Sequence, residues 1–494
     1  MTGSERPLGV LIISYLFPPV GGGGVPRAQK LVKYLPDFGI RPVVLAACPP
    51  PYLQRDESRL KDLPRHVPIY RVPHPRWHLA LSGLFRGGAG GVAAPGGRPE
   101  GGVPEGASGG KSVGRTSSGA GRPAEAAPAD GSAGPVLPRF VRRWLRSAAM
   151  RLREGLFIPD EEIVWARRAV RAGLSAIRTH RVDVLFSTSG PVTNHLVALL
   201  IRRKTGLPWV ADFRDPWTDN MHFTALPWRA ALERAMERAV FRAASRVTTV
   251  TQAFREGFLA RYPDAAIEVI YNGFDPEDVV RLRAEAGDLR PPDGVLRFAH
   301  TGIFYPKRHP RAFFQALHDL IAAGRLRPEE VRLDFAGQFD PPGRDDNRRA
   351  AEALGLGDLV VDHGALPYGA ALRLLAASTV LLLVGDLDLR AGQYIPGKLF
   401  DYLAVGRPIL ALLRPGEAEA IVRRLPGAYV APPDDGAAIR AVLERLVDDW
   451  RAGRLAAGID VLREPAFEPY RRDRQAAAFA ALFRQVVSEA SSRS

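Results

Sequence analysis

Gly21, Gly22, Gly23 and Gly24 stand between an apolar run and a helical pattern, and four successive glycines exceed what a turn requires. Their backbone N–H groups can approach a phosphate at the positive end of the following helix, where Arg27 adds charge. The candidate phosphate or acceptor loop is therefore Gly22, Gly23, Gly24 and Arg27. The loop lacks a Gly-Lys-Ser/Thr ending, and Pro26 interrupts the spacing of a dinucleotide fingerprint; a plain strand-to-helix turn is the alternative. Downstream, Asp212-Phe213-Arg214-Asp215-Pro216-Trp217 follows an apolar run and puts carboxylates and a guanidinium at a strand's carboxyl end, where parallel-sheet enzymes keep their sites. Arg214 and Asp215 are catalytic candidates, together with Lys307 and Arg308 further along the chain. The alternative is an internal Asp–Arg salt bridge, and both hold if one Asp restrains Arg214 while the other faces a cleft.

Two further clusters suit a departing diphosphate. Thr301-Gly302-Ile303-Phe304-Tyr305-Pro306-Lys307-Arg308 sets Lys307 and Arg308 beyond a strand end, where fixed cations would stabilise the charge that develops as a bond to phosphate breaks; a solvated loop is the alternative. The segment from Gln393 to Asp401 starts a helix at Pro396 or Gly397, with Lys398 in its first turn. A carboxylate at Asp401 can accept both hydroxyls of a ribose, against the plainer reading of a surface Asp. Gly302, Lys307, Arg308, Gln393, Lys398 and Asp401 form the expected donor site. Asp386-Leu387-Asp388 resembles an acidic metal-binding pair but lies late in the chain and is read as a loop, so no metal ligand is assigned. His195 is equally a packing residue or an acid or base.

The elements that must position these residues alternate. Val10–Tyr15, Pro42–Ala47, Val182–Ser187, Pro208–Phe213, Arg246–Thr251 and Ile267–Tyr271 read as strands separated by helical patterns, the first helix running from Pro26 to Asp37. Residues 1–285 are thus expected to form one Rossmann-like domain. Its residues 86–135 hold sixteen of the chain's 49 glycines and no aromatic residue, a composition expected to be a disordered insertion. The alternation restarts with Leu296–Thr301, Val331–Ala336, Leu359–His363, Thr379–Val384 and Pro408–Leu412, a second Rossmann-like domain over 286–465. Within 466–494, Phe479, Leu482, Phe483 and Val486 line one side of a final helix that needs a partner surface.

At 494 residues and 46% hydrophobic composition the chain exceeds one ordinary core. Its single cysteine, Cys48, excludes a disulfide framework and favours a reducing compartment, so a cytoplasmic protein is expected. No run approaches the roughly 18 apolar residues of a spanning helix. The net charge of +15 favours anionic partners, yet no zinc finger, RNA-recognition signature or aromatic-basic ladder supports specific nucleic-acid binding. Over 139–157, Val141, Trp144, Leu145, Ala148 and Leu152 recur at helical spacing among arginines, which suits either an anionic membrane surface or a solvated helix face. Oligomeric state is not legible.

Taken in order, Leu16-Phe17-Pro18-Pro19 with the glycine loop, Pro159-Asp160 followed by Trp165, the Asp212–Trp217 segment, Tyr271-Asn272-Gly273-Phe274-Asp275, Tyr305–Pro310 and Ile395–Ile409 resemble the family 4 retaining glycosyltransferases. The resemblance implies an α/β GT-B fold: two facing Rossmann-like domains, donor bound mainly by the second, acceptor by the first, and a last helix crossing back to the first. It also implies transfer of a sugar from a nucleotide-sugar donor, as substrate rather than cofactor, to a glycan or lipid-linked acceptor. Retention of configuration and the absence of a catalytic metal follow from the same resemblance. Lys307 and Arg308 match the family's basic pair, and its two glutamates fall on Gln393 and Asp401, of which only the second is acidic. Where many relatives keep a histidine near the reacting sugar, this chain has Arg214 beside Asp215. The loss of charge at Gln393 leaves a second reading, a non-catalytic nucleotide-sugar binding protein in a glycan assembly system.

Overall fold

Short runs of Val, Ile and Leu without polar alternation fold as strands buried on both faces, which requires helices above and below a parallel sheet. The computed structural model describes residues 6–49, 55–75, 157–285, 289, 294–341, 343–455 and 460–492. The expected insertion over 86–135, and the expected basic helix up to residue 156, lie outside the described residues.

The first sheet contains β1 (Leu8–Ile13), β2 (Ile40–Ala47), β3 (Ile69–Val72), β4 (Val184–Thr188), β5 (Trp209–Phe213), β6 (Arg246–Thr249) and β7 (Ile267–Val269), in the order β3-β2-β1-β4-β5-β6-β7. The second contains β8 (Leu296–Ile303), β9 (Val331–Gln338), β10 (Val360–Asp362), β11 (Val380–Val384), β12 (Ile409–Leu412) and β13 (Ala428–Ala431), in the order β10-β9-β8-β11-β12-β13. Every pairing in both sheets is parallel. The strand order reverses direction beside β1 and beside β8, so both switch points open at the strands' carboxyl ends.

Each sheet has a core on either face. Helices Ile163–His180, Thr193–Thr205, Pro227–Ala243 and Gln252–Arg261 cover one face of the first sheet, with Trp165 and Trp209 fully buried among them. Proline in the first turn starts Pro26–Tyr34, Pro227–Ala243 and Pro276–Ala284, where its missing N–H costs nothing. Gly206 and Gly406, both left-handed, stop their helices.

The opposite face of the first sheet is covered by Pro26–Tyr34 and by Arg472–Ser491, which comes from beyond the second sheet. Phe479, Leu482, Phe483 and Val486 are 0–2% exposed there, and each such side chain contributes about 1.5–3 kcal/mol through burial. The chain returns at Phe274 N–H to Tyr470 carbonyl (2.8 Å) and Arg472 N–H to Phe274 carbonyl (2.9 Å). Gly273 is required at this crossing because a Cβ there would overlap the Tyr470 carbonyl oxygen. Among the described residues, no helix is long and apolar enough to cross a membrane.

Candidate active site

The carboxyl ends of both sheets contribute to a cavity of about 280 Å3, lined by Asp215, Met221 and His222 from the first half and by Tyr305, Arg308, Asp386, Tyr394, Lys398 and Arg414 from the second. Several contacts join the walls. Met221 N–H donates to Tyr394 Oη at 3.2 Å, Arg390 donates to the Met221 carbonyl at 3.0 Å, and the Tyr394 ring meets Phe254 edge-on at 4.7 Å.

The second-half wall is built on β8. Its last residues turn through Gly302 (φ 124°), where a Cβ would lie 2.8 Å from Lys398 Nζ; glycine leaves the lysine its place. Lys398 opens the helix Lys398–Val405 and sits 2.9 Å from His300 Nε2. His300 is buried, stacked on Phe304, and its Nδ1 lies 2.8 Å from the Leu382 carbonyl. A carbonyl only accepts, so Nδ1 carries the proton and Nε2 is left to accept from Lys398. Burial, then the nearby Arg308 charge, holds the Lys398 ammonium well below its ordinary pKa. Arg308 lies over the Tyr305 ring at 4.7 Å, and its Nε is buried without a hydrogen-bond partner. Neither Lys398 nor Arg308 has an ion-pair partner among the described residues. Two basic side chains without ion-pair partners suit this wall to a negatively charged group, whose arrival would favour the protonated lysine.

Lys307 is placed differently from its neighbour. It is exposed, pairs with Asp388 at 3.1 Å, and lies outside the lining of the cavity, so the adjacent basic pair of the sequence does not act as one unit. The second cation facing Arg308 is Lys398. Asp388 also accepts from Arg390 N–H, while Asp386, expected as loop, is buried and lines the cavity with Oδ2 unpartnered. No group of three or more His, Cys, Asp or Glu side chains suited to a metal occurs among the described residues.

Gln393 ends the turn Leu389–Gln393 and is exposed, outside the lining. Asp401 lies one turn along the helix from Lys398, also outside it, and accepts from Tyr368 Oη at 3.1 Å; the same hydroxyl lies 3.2 Å from Asp278. Burial first, and the Asp278 charge further, push the Asp401 carboxyl up to about 6. Arg59 of the first half stacks over Tyr368 at 5.0 Å.

On the first-half wall, the aspartate of the Asp212–Trp217 segment that pairs with arginine is Asp212, and its partner is Arg27. Arg27 Nε and Nη2 donate to the two carboxylate oxygens at 2.8 and 2.7 Å, and Thr188 and Thr248 hydroxyls add bonds of 2.7 Å each. Burial raises the Asp212 carboxyl, but Arg27 and the hydroxyls outweigh it and hold it below its usual range. Arg27 also donates to the Ile270 and Tyr271 carbonyls. Its donors are therefore committed inward, which corrects its expected place in a phosphate loop.

Arg214 is likewise spent on backbone: Nε donates to the Ser189 carbonyl and Nη1 to that of Gly24, each at 2.6 Å. It clasps the glycine loop to the turn at Gly190, whose φ of 83° leaves no room for a side chain beside the guanidinium. Arg214 is thus a positioning residue, and Asp215, an exposed side chain, is the member of the segment that lines the cavity. A Cβ at Gly22 or Gly23 would meet nothing within 4 Å, so this part of the loop is open, and neither glycine lines the cavity. His195 is fully buried, stacked on Phe213 at 4.3 Å and 2.8 Å from Ser187 Oγ; burial lowers it to about 3, and it packs as a neutral ring.

His300, Asp386, Tyr394 and Arg414 escaped the sequence reading. For Asp386 a signal existed, an aspartate two residues beyond the apolar Val380–Val384 run, but its place late in the chain led to its reading as a loop.

The family model described as Glycosyltransferase Family 4 matches residues 128–278. A 2-deoxystreptamine N-acetyl-D-glucosaminyltransferase of Streptomyces fradiae is 26% identical over 303 residues, covering 59% of this chain and 69% of that protein. Among solved structures, sucrose-phosphate synthase from Thermosynechococcus elongatus superposes with a TM-score of 0.57 at 13% identity, covering 98% of this chain and all of that one. An Anabaena protein in complex with UDP gives 0.50 at 14% identity over 98% and 99% of the two chains. Two parallel sheets whose carboxyl ends share one cavity give the chain the GT-B fold of these structures, and over residues 128–278 its sequence is similar to Glycosyltransferase Family 4.

Proposed function

We propose that the chain transfers a sugar from a nucleoside-diphosphate donor to a hydroxyl of a glycan or lipid-linked acceptor, with retention and without a resident metal or cofactor, on the cytoplasmic side. The observation that carries this reading is the pair Arg308 and Lys398, unpaired cations on one wall of a cavity whose other wall presents Asp215. As the bond from the anomeric carbon to phosphate oxygen breaks, the diphosphate gains charge beside both cations. Preorganised donors of this kind are each worth about 3–4 kcal/mol of barrier. The acceptor oxygen bonds to the same face of the anomeric carbon, and its proton passes to the departing phosphate oxygen. The donor of the UDP-bound structural neighbour, and the aminosugar named for the Streptomyces relative, suggest a UDP-sugar, with a UDP-hexosamine the first to try. Asp401 beside Tyr368 is the ribose subsite in this reading, and the open Gly22–Gly23 loop the acceptor side.

Thermal stabilisation by UDP-, GDP-, ADP- and dTDP-sugars, with donor turnover followed in parallel, tests the assignment. Stabilisation by one donor that is lost in Arg308→Ala, with turnover insensitive to EDTA, is expected. Stabilisation without turnover in any acceptor extract would favour the non-catalytic reading, and no stabilisation would sink both.

A further inference from the structure

Helices Ile163–His180 and Thr193–Thr205 pack side by side, and the latter packs on Pro227–Ala243, all covering one face of the first sheet. The first two contain no Asp or Glu. The third contains only Glu233 and Glu237, 2% and 0% exposed and turned inward, Glu233 accepting from Trp217 Nε1 at 2.8 Å and Glu237 pairing with Arg261 at 3.1 Å. The outward positions are cationic. Arg167 and Arg171 on the first helix, Arg203 and Lys204 on the second, and Arg234 and Arg238 on the third are exposed, and none forms an ion pair among the described residues.

A solvated face on an ordinary protein mixes signs, and much of this protein's second half does so, with Arg349–Asp345, Arg423–Glu419 and Arg440–Glu444 paired along single helices. The three-helix face instead adds large apolar side chains to its cations: Trp228 is 52% exposed, Leu226 46%, and Leu232 and Leu200 41% each. Trp228 and Leu232 are one helical turn apart and so share a side.

We propose that this three-helix face docks on an anionic lipid bilayer, with Trp228 and Leu232 entering the headgroup region and the arginines lying on lipid phosphates. A nucleic acid would match the charge, but exposed leucines gain nothing from a phosphodiester backbone, whereas a tryptophan and leucines flanked by arginine suit the membrane interface. The surface is distinct from residues 139–157. Asn220, Met221 and His222, a few residues before the third helix, line the catalytic cavity, so docking would hold the cavity close to the bilayer plane. The proposal does not depend on the identity of the donor or on turnover.

Co-sedimentation of the full chain with vesicles of phosphatidylglycerol and phosphatidylcholine, against phosphatidylcholine alone, tests it. Binding to the anionic vesicles only, weakened by 0.5 M salt, is expected, since each basic residue near such a surface contributes favourably within about a Debye length. Arg234→Glu with Arg238→Glu should weaken binding about tenfold or more, Trp228→Ser with Leu232→Ser about threefold or more, and Arg373→Glu with Arg445→Glu, exposed in the second half, by less than about twofold. An unchanged ligand-free melting temperature in each variant confirms the fold. Equal loss in the second-half variant, binding that ignores Trp228 and Leu232, or tighter binding to duplex DNA than to the vesicles, would each overturn the proposal.

Discussion

The two walls of the cavity use the same residue types to opposite ends. On the first-half wall Arg27 is locked onto Asp212 and Arg214 onto the carbonyls of Ser189 and Gly24, so that both guanidiniums hold loops together. On the second-half wall Arg308 and Lys398 form no ion pair among the described residues, and Lys398 leans on a neutral imidazole instead. A buried cation already paired is architecture, while one left unpaired is held in readiness for a charge still to arrive. Residue type near a strand end therefore says little about role until the partner is known.

The largest effect should come from breaking the architectural side. Asp212→Asn leaves Arg27 buried without its counter-charge and should destabilise the fold by about 3–5 kcal/mol, read by denaturant or thermal unfolding. If Asp212→Asn is as stable as the parent, the contrast between the walls fails. Arg308→Ala should do the reverse, lowering turnover about 100- to 1,000-fold while shifting ligand-free stability by less than about 1 kcal/mol. A loss in melting temperature matching that of Asp212→Asn would return Arg308 to the architectural class.

Asp401 sharpens the comparison through pH. Its carboxyl is raised from 3.8 to about 6 in the fold, so the native state holds its proton longer than the unfolded chain, and its stability contribution declines as pH rises between those values. Asp401→Asn should therefore gain about 1–3 kcal/mol of ligand-free stability above pH 6 and little near pH 4. Unfolding curves at the two pH values decide this. If Asp401 serves the ribose, the same variant loses donor affinity; equal affinity for Asp401, Asn and Ala forms would remove it from the site. The smallest effect belongs to Lys307→Ala, which breaks an exposed, solvent-screened pair with Asp388 and should leave donor affinity within about threefold. A hundredfold loss of affinity would show that Lys307 swings inward when donor binds.

Much of the frame was legible because runs such as Val380–Val384 and Trp209–Phe213 are apolar throughout, the mark of strands covered on both faces. The edge strands β3 and β13 escaped: each is four residues long, and β3 carries a Tyr and an Arg on a half-buried edge. The terminal helix announced its apolar side but not which sheet it covers. In the site, Gly302, Arg308 and Lys398 stood out by position after a strand or at a helix start. What spacing could not show was direction. Lys307 and Arg308 are adjacent yet reach opposite surroundings, and Arg27 meets Asp212 across 185 positions.

The helix Arg472–Ser491 completes the core of the first sheet but is translated only after the whole second half. As the chain leaves the ribosome, the first half must therefore wait, with Phe186 and the apolar side of Pro26–Tyr34 uncovered, until Phe479 and Phe483 emerge. Independent folding of domains in order of synthesis, the usual course for a two-lobed protein, is closed to this one. During that interval the nascent chain presents an apolar surface that a chaperone can grip, and the second half has time to finish first.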